Sequence, residues 1–537
     1  MLNLTVVLCI IWALTLLYGE MISFWVPSLW ACSWPHLRVS SSLSSAVNMN
    51  GAVNPVNPVK IAVLADPQLM DKTSHGLAPK SLALEISQFY ADLFMRRSFL
   101  ASIMPFRPDV ILFLGDYFDG GHILSDEEWQ ESLSRFKHIF NLNTRSSNIQ
   151  VYYLPGNHDI GYSSFHSQRP EVIKRYETEF GKRNNRFVLG KVEFIAIDAQ
   201  TIDGHKEGNL PSASWGFVKN VSMDVKLYPR VLLTHIPLYR PEWTSCGSYR
   251  YSPVINQRVS RAVHDQDIAY QNYISQEVSD YLLDSIRPVL VLSAHDHDQC
   301  TVTHMPKYGP VPEHTLGTIS WQQGNLYPSF MLLTANNLAF PNASSEGDAI
   351  STHLCFLPMQ THIYIWYLSL LVLTLLATLF WPTKSTGFWR RCGNFMGHAR
   401  GLISNNLFNI GTKDKDEDEN CEYEMIWDAE GSMHLVKKAS KAPTVCSNES
   451  GLLERGGAVM RPAARKQNYP ENDACETFDV NVDVGLDTTG RLLPRTSKSK
   501  AKTVILRLVR AFRILSVVAA VNVPLYMMLL FKDWIDQ

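Results

Sequence analysis

Five short polar motifs carry the residue types that could do chemistry. In chain order they are ADPQ with Asp66 and Gln68, GDYFDGG with Asp116 and Asp119, GNHD with Asn157 and His158, LLTHIPLYR with His235, and AHDHDQC with His295 and His297. Carboxylate, amide and imidazole ligands in this mixture suit Mn²⁺, Fe or Zn²⁺. No Cys stands among these candidate ligands, which argues against a structural zinc site. Each motif alone has a bland reading. A single His after a strand is commonly a hydrogen-bonded loop residue, and Gly-Asn suits a turn. Five in order, each closing a strand-like run, point to one convergent site.

The elements that must position these residues are visible as short apolar runs. Runs at 59–65, 110–114, 149–154, 192–197, 231–234 and 289–293 each suit a buried strand. Between the first two, residues 82–100 have helical apolar spacing. A second helix is expected around 125–140, where Ser125 and Glu128 form a capping-box pattern. Alternating strands and helices predict an α/β domain over 59–340. Polar residues just after the strands of such a domain converge on one crevice.

With these motifs in this order, residues 66–300 resemble the calcineurin-like metallophosphoesterase superfamily. The resemblance implies an αββα sandwich with a two-metal centre. One metal would take Asp66, Gln68 and His297, and the other Asn157, His235 and His295, with Asp116 bridging. His158 would be the acid beside the leaving oxygen, oriented by Asp119. The chemistry agrees with that layout. A metal pair can activate water and clamp the oxygens of a phosphate ester, and an imidazolium can protonate a leaving alkoxide. Gln68 departs from the family, which usually has His there; an amide oxygen shifts the preference toward a harder ion such as Mn²⁺. The DPQ variant, LYRPEWTSCG, HDHDQC and the multi-span topology further resemble the endomembrane enzymes that remove ethanolamine-phosphate from GPI-anchor mannoses. The stretch from VLADPQLMDKTS to SLALEISQFYADLFMRR resembles the plant-type members of that group. This implies Mn²⁺ dependence, a GPI-anchored glycolipid or protein as substrate, a luminal site and residence in the ER or Golgi. Two alternatives stay open: a luminal phosphoesterase acting on another phosphoester, and a non-catalytic membrane protein retaining the fold.

Composition places the domain in a membrane context. The 537 residues carry 49 Lys+Arg against 51 Asp+Glu, a net charge of -2, which argues against a nucleic-acid partner held by a positive field. Only 19% are charged and 46% are apolar. The mean hydropathy of -0.08 hides bunching. Residues 1–31 read as an uncleaved transmembrane anchor, 363–381 as a second span and 514–531 as a less regular third. Basic residues after the second span (Lys384, Arg390, Arg391, Arg400) and before the third (Lys498, Lys500, Lys502, Arg507, Arg510, Arg513) place 382–513 in the cytosol. That segment reads as a largely disordered loop that could contact ER-export machinery. The linker 32–58, the 59–340 domain, a connector 341–362 and a tail 532–537 are then luminal. Sequons at Asn220 and Asn342 fall on that side. Cys246 follows the His235 motif and Cys300 the last His motif. Because both motifs should meet at the metal centre, a Cys246–Cys300 disulfide is expected, with two buried thiols as the alternative. Arg240 and Tyr239 are read either as phosphate or sugar contacts or as a loop packing pair.

Overall fold

The computed structural model describes residues 3–36, 57–141, 149–166, 169–203, 209–253, 255–262, 268–336, 349–381, 423–427, 433–437 and 500–535. The chain divides into residues 1–381 with 500–537, and residues 382–499.

All six expected strand runs are strands. In the first unit β1 (Val59–Leu64), β2 (Val110–Phe113) and β3 (Gln150–Tyr153) run parallel. The second sheet starts from the hairpin β4 (Asn185–Leu189) and β5 (Val192–Ile197), then β6 (Arg230–Thr234). A small hairpin, β7 (Val259–Arg261) with β8 (Ile268–Gln271), stands apart. There follow β9 (Leu290–Ser293), β10 (Cys300–His304), β11 (Val311–Thr315), β12 (Ser329–Ala335) and β13 (Ile350–Phe356). The two main sheets have the orders β13-β12-β1-β2-β3 and β10-β11-β9-β6-β5-β4.

Side-chain alternation explains the layering. Ile61, Val63, Val110 and Leu112 point from the first sheet toward Phe194, Ala196, Val231, Leu233, Leu290 and Leu292 of the second, in one buried cluster. The opposite side chains of β1 and β2, Ala62, Leu64, Ile111 and Phe113, pack against Phe94, Met95, Trp129 and Phe136. These belong to α1 (Leu82–Arg97) and α2 (Asp126–Ile139), the latter opened by the expected Ser125–Glu128 capping box. On the far side Ile195, Ile197, Leu232 and Val291 meet α3 (Asn209–Met223) and α4 (Gln276–Ile286). The result is the four-layer αββα sandwich.

Two expectations about boundaries are corrected. The segment expected to be a connector, 341–362, contains β13, which closes the first sheet by pairing with β12. Its alternation is short and weakly apolar, so the sequence alone does not mark it as a strand. The third membrane helix, α6 (Lys500–Lys532), begins well before 514. Its basic residues therefore lie on the helix itself, and Arg510 Nη1 donates to the Trp381 carbonyl at 3.1 Å, at the end of α5 (Gln360–Phe380). A cation there complements the carbonyl end of the α5 dipole. In the second unit, Tyr423–Trp427 and Met433–Lys437 pair as an antiparallel hairpin, β14 and β15. The rest of the expected cytosolic loop, the bulk of the 32–58 linker and Asn342 lie outside the described residues.

Three described helices are long and apolar enough to cross a membrane: Leu4–Ala31, Gln360–Phe380 and Ala501–Lys532. One buried polar cluster joins all three to the domain. Glu20 of the first span is ion-paired to Arg97 of α1 at 2.5 Å and accepts from Tyr367 Oη of α5 at 2.8 Å. Arg97 also donates to the Leu529 carbonyl of α6 and lies 3.3 Å from Asp533. Gly19 makes this approach feasible, since a Cβ there would fall 2.1 Å from Tyr367 Oη. Cys32, just past the first span, is bonded to Cys355 in β13.

Candidate metal centre

Every candidate ligand lies just beyond the C-terminal end of a parallel strand. Asp66 and Gln68 follow β1, Asp116 follows β2, Asn157 follows β3, His235 follows β6, and His295 and His297 follow β9. Both sheets contribute, so the site straddles the sandwich at one end. The loops are tied together by backbone bonds: Gln68 N–H donates to the Asp116 carbonyl at 2.8 Å and Ala294 N–H to the His235 carbonyl at 2.9 Å.

The backbone is held in an unusual conformation where the ligands sit. Among the described residues eleven non-glycines have positive φ, and five of them are Asp66, Gln68, Asp116, His295 and His297. Each costs on the order of 1 kcal/mol or more, and such outliers cluster at functional sites. The flanking glycines allow tight approach. A Cβ on Gly156 would fall 2.0 Å from Asp116 Oδ1, and one on Gly115 would fall 2.7 Å from His235 Nδ1. Asp159 locks the arrangement by accepting from the backbone N–H of Asp116, Tyr117 and Gly156, each at 2.8 Å.

The side chains form two groups sharing one carboxylate. Ligand atoms of Asp116, His235 and His295 lie within 4.8 Å of one another, and so do those of Asp66, Asp116 and His297. His235 Nε2 is 3.2 Å from Asp116 Oδ2 and 3.2 Å from Asn157 Oδ1. Its Nδ1 faces the Leu114 carbonyl at 2.8 Å, which fixes Nε2 toward the centre. Gln68 Nε2 donates to Asp116 Oδ2 at 3.1 Å. These are the residues expected from sequence, brought together with Asp116 in the middle.

Charge and unsatisfied atoms show that the group suits divalent cations. Asp66 Oδ2 and Gln68 Oε1 are buried with no hydrogen-bond partner, a costly state that a cation would relieve. Burial pushes the Asp66 carboxyl up to about 8; His235 pulls against that, and the Asp116 charge adds to it. Burial pushes His295 down to about 3 and His297 down to about 4, so both are neutral with lone pairs free to ligate. Burial opposes the charged form of His235 too, but Asp116 outweighs it and holds that imidazole up to about 9. A fold of this kind implies a dinuclear divalent-metal site, and these two groups are its candidate ligands.

His158 sits beside the pair. Its backbone N–H donates to Asp116 Oδ1 at 2.8 Å, and its Nδ1 faces the Asp119 backbone carbonyl. Asp119 therefore orients it through its carbonyl; the carboxylate is 3.7 Å away and accepts from Ser74 Oγ at 2.6 Å. Burial disfavours the imidazolium, but Asp116 and Asp119 outweigh it and raise the pKa above 6.5. Nδ1–H being engaged, Nε2 is left to deliver a proton.

Of the two readings of Arg240, the structure fits packing and not a phosphate or sugar contact. Arg240 is 2% exposed, and its guanidinium contacts Thr315, lies 3.5 Å from Glu313 and 4.0 Å from Asp296, and stacks over Tyr273. It packs inside the domain, and Tyr239 beside it is half-buried. The guanidinium that braces the His295 loop was missed: Arg250 holds Asp296 at 2.7 and 2.9 Å. Cys246 and Cys300 are bonded, joining the same two loops. Gln271 at the end of β8 was also missed, and its carbonyl meets His295 Nε2 at 3.0 Å. Arg250 and Gln271 lie outside the motifs, so no local signal marked them. Asn220 is exposed on α3.

A metal-dependent phosphoesterase is what this sandwich and its paired ligand groups define. Residues 59–299 match the family described as Calcineurin-like phosphoesterase, and the chain carries a calcineurin-like metallophosphoesterase domain, that of a hydrolase. The chain is 29% identical over 322 residues to Cell division control protein 1 of Saccharomyces cerevisiae, covering 57% of this chain and 63% of that protein. It is 27% identical over 372 residues to Metallophosphoesterase 1 of Danio rerio (65% of this chain, 84% of that one). Metallophosphoesterase 1 of Mus musculus matches at 27% over 394 residues (68% and 87%). The chain thus spans less than two thirds of the yeast protein and most of the vertebrate ones.

Proposed function

We propose that this protein is a Mn²⁺-dependent phosphodiesterase that removes ethanolamine-phosphate from a GPI-anchor mannose, on the luminal side of the ER or Golgi membrane. The observation that carries the reading is a complete pair of ligand groups sharing Asp116, in a domain tied directly to three membrane-length helices. Asp66, Gln68 and His297 would hold one cation and Asn157, His235 and His295 the other, with Asp116 between them. Bound there, the cations would neutralise phosphate charge and activate water. His158 holds the proton for the leaving oxygen, and Asp119 keeps its ring in place. The amide at Gln68 favours a hard ion. The luminal orientation is supported by the basic residues around the 382–499 segment and by two disulfides on the domain side. A membrane-anchored substrate also benefits from an enzyme confined to the same bilayer.

The test is mass spectrometry of GPI glycans from cells lacking this protein. Ethanolamine-phosphate should be retained there, and wild type should remove it while Asp116→Asn and His158→Ala do not. An unchanged glycan pattern in the deficient cells would overturn the reading.

A further inference from the structure

A cavity of about 530 Å³ opens beside the metal centre, where the domain meets the membrane helices. Its domain wall includes Met70, two residues beyond Gln68, with Trp321 and Gln322. Its membrane wall includes Tyr364 of α5 and Tyr526 of α6, and Tyr90 of α1 lies between. The link to the metal ligands is direct, because Gln322 Nε2 donates to the Gln68 carbonyl at 3.2 Å. A larger cavity of about 640 Å³ between the first span and α5 includes no residue of the ligand loops.

The lining has a definite chemistry. The Trp321 and Tyr364 rings meet edge to face with centroids 5.6 Å apart, and Tyr90 meets Tyr364 at 6.4 Å. Tyr526 Oη donates to Tyr90 Oη at 3.1 Å. Trp321 contributes its indole face to the lining, while its Nε1–H is buried. No Lys, Arg, Asp or Glu lines the cavity, and His75 is its one imidazole, so a phosphate meets no fixed positive charge there. Aromatic faces with a few converging donors suit a neutral polyhydroxylated ring with apolar C–H faces.

We propose that this cavity is a glycan subsite. It takes the neutral sugar rings of a membrane-anchored glycolipid, between the lipid in the bilayer and the phosphoester at the metal centre. The inference rests on the proposed function in that it needs a membrane-anchored substrate.

The experiment uses the full chain in lipid nanodiscs with Mn²⁺ and three probes. They are a trimannosyl phosphatidylinositol glycolipid bearing ethanolamine-phosphate, the same glycolipid without that group, and the soluble diester bis(p-nitrophenyl) phosphate. In Trp321→Ala the Kd for the phosphate-free glycolipid should weaken tenfold or more. The ratio of kcat/KM for glycolipid over soluble diester should fall similarly, through KM. The paired Tyr90→Phe and Tyr526→Phe changes, which spare packing, should lower that ratio at least threefold. Unchanged Kd in all variants would overturn the subsite, as would equal losses on both substrates, which mark a structural role. Trp321-dependent binding by a wild type that leaves ethanolamine-phosphate in place would uphold the subsite and sink the proposed activity. Cleavage with binding indifferent to Trp321 would do the reverse.

Discussion

Glu313 illustrates how single residues near the centre are kept charged while buried. Burial would push its carboxyl up, but Arg240 and His304 outweigh that and hold it at about 2. His304 Nε2 is 2.7 Å from Oε2, and Ser293 Oγ donates to Oε1 at 2.6 Å. The folded pKa is thus depressed below its ordinary 4.5. Its contribution is full above about pH 4.5 and is lost as pH falls toward about 2, amounting to about 3 kcal/mol. Glu313→Gln should therefore melt earlier than wild type at pH 7. Its Tm should also change less than that of wild type between pH 5 and pH 3. Parallel Tm–pH curves for the two proteins would contradict this account. The residue scale also explains why the sequence leaves Arg240 open: an Arg beside a candidate metal-site His can face a phosphate or pack inward, and only the fold decides.

At the scale of elements, the contact between the domain and the membrane-length helices includes the buried Glu20–Arg97 pair, 2% and 4% exposed. Removing one partner of such a pair leaves an uncompensated charge, at about 3–5 kcal/mol, whereas replacing both with apolar groups is often tolerated. Arg97→Met should lower the melting temperature of the detergent-solubilised protein sharply, and the Glu20→Leu, Arg97→Met double variant should recover much of the loss. Additive losses in the cycle would show that the pair is not coupled. Sequence gave Glu20 as the lone charge in an apolar stretch and could not supply its partner, which lies 77 positions away. The strands that were missed have the same origin. The alternation in β10 and β13 is short, and neither can be recognised until the strand beside it is known.

At the scale of the whole molecule, orientation is the central consequence. Asn220 stands exposed on α3, far along the chain from any membrane helix and on the domain that carries the metal ligands. If that domain is luminal, Asn220 should carry an N-glycan. Treatment with an N-glycosidase should then shift the wild-type band and leave Asn220→Gln at a lower mass by one glycan. A mobility identical for both proteins, with an Asn220→Cys variant labelled by a membrane-impermeant maleimide only from the cytosolic face, would place the site on the other side.

The candidate ligands and the strand ends that bear them were legible in the sequence. Metal chemistry dictates residue types, and buried parallel strands dictate short apolar runs, and both are local properties. The three membrane stretches were legible for the same reason, because bilayer thickness fixes their length. Only the tertiary structure decided what depends on contacts between distant segments. It put Asp116 between two ligand groups from two sheets, turned Arg240 inward and assigned Arg250 to the His295 loop. It also tied Cys32 to Cys355 and brought Glu20, Arg97, Tyr367 and Asp533 together. A sequence prescribes which side chains can ligate or span a bilayer, but a buried charge or an aromatic seam acquires its role from neighbours that packing alone selects.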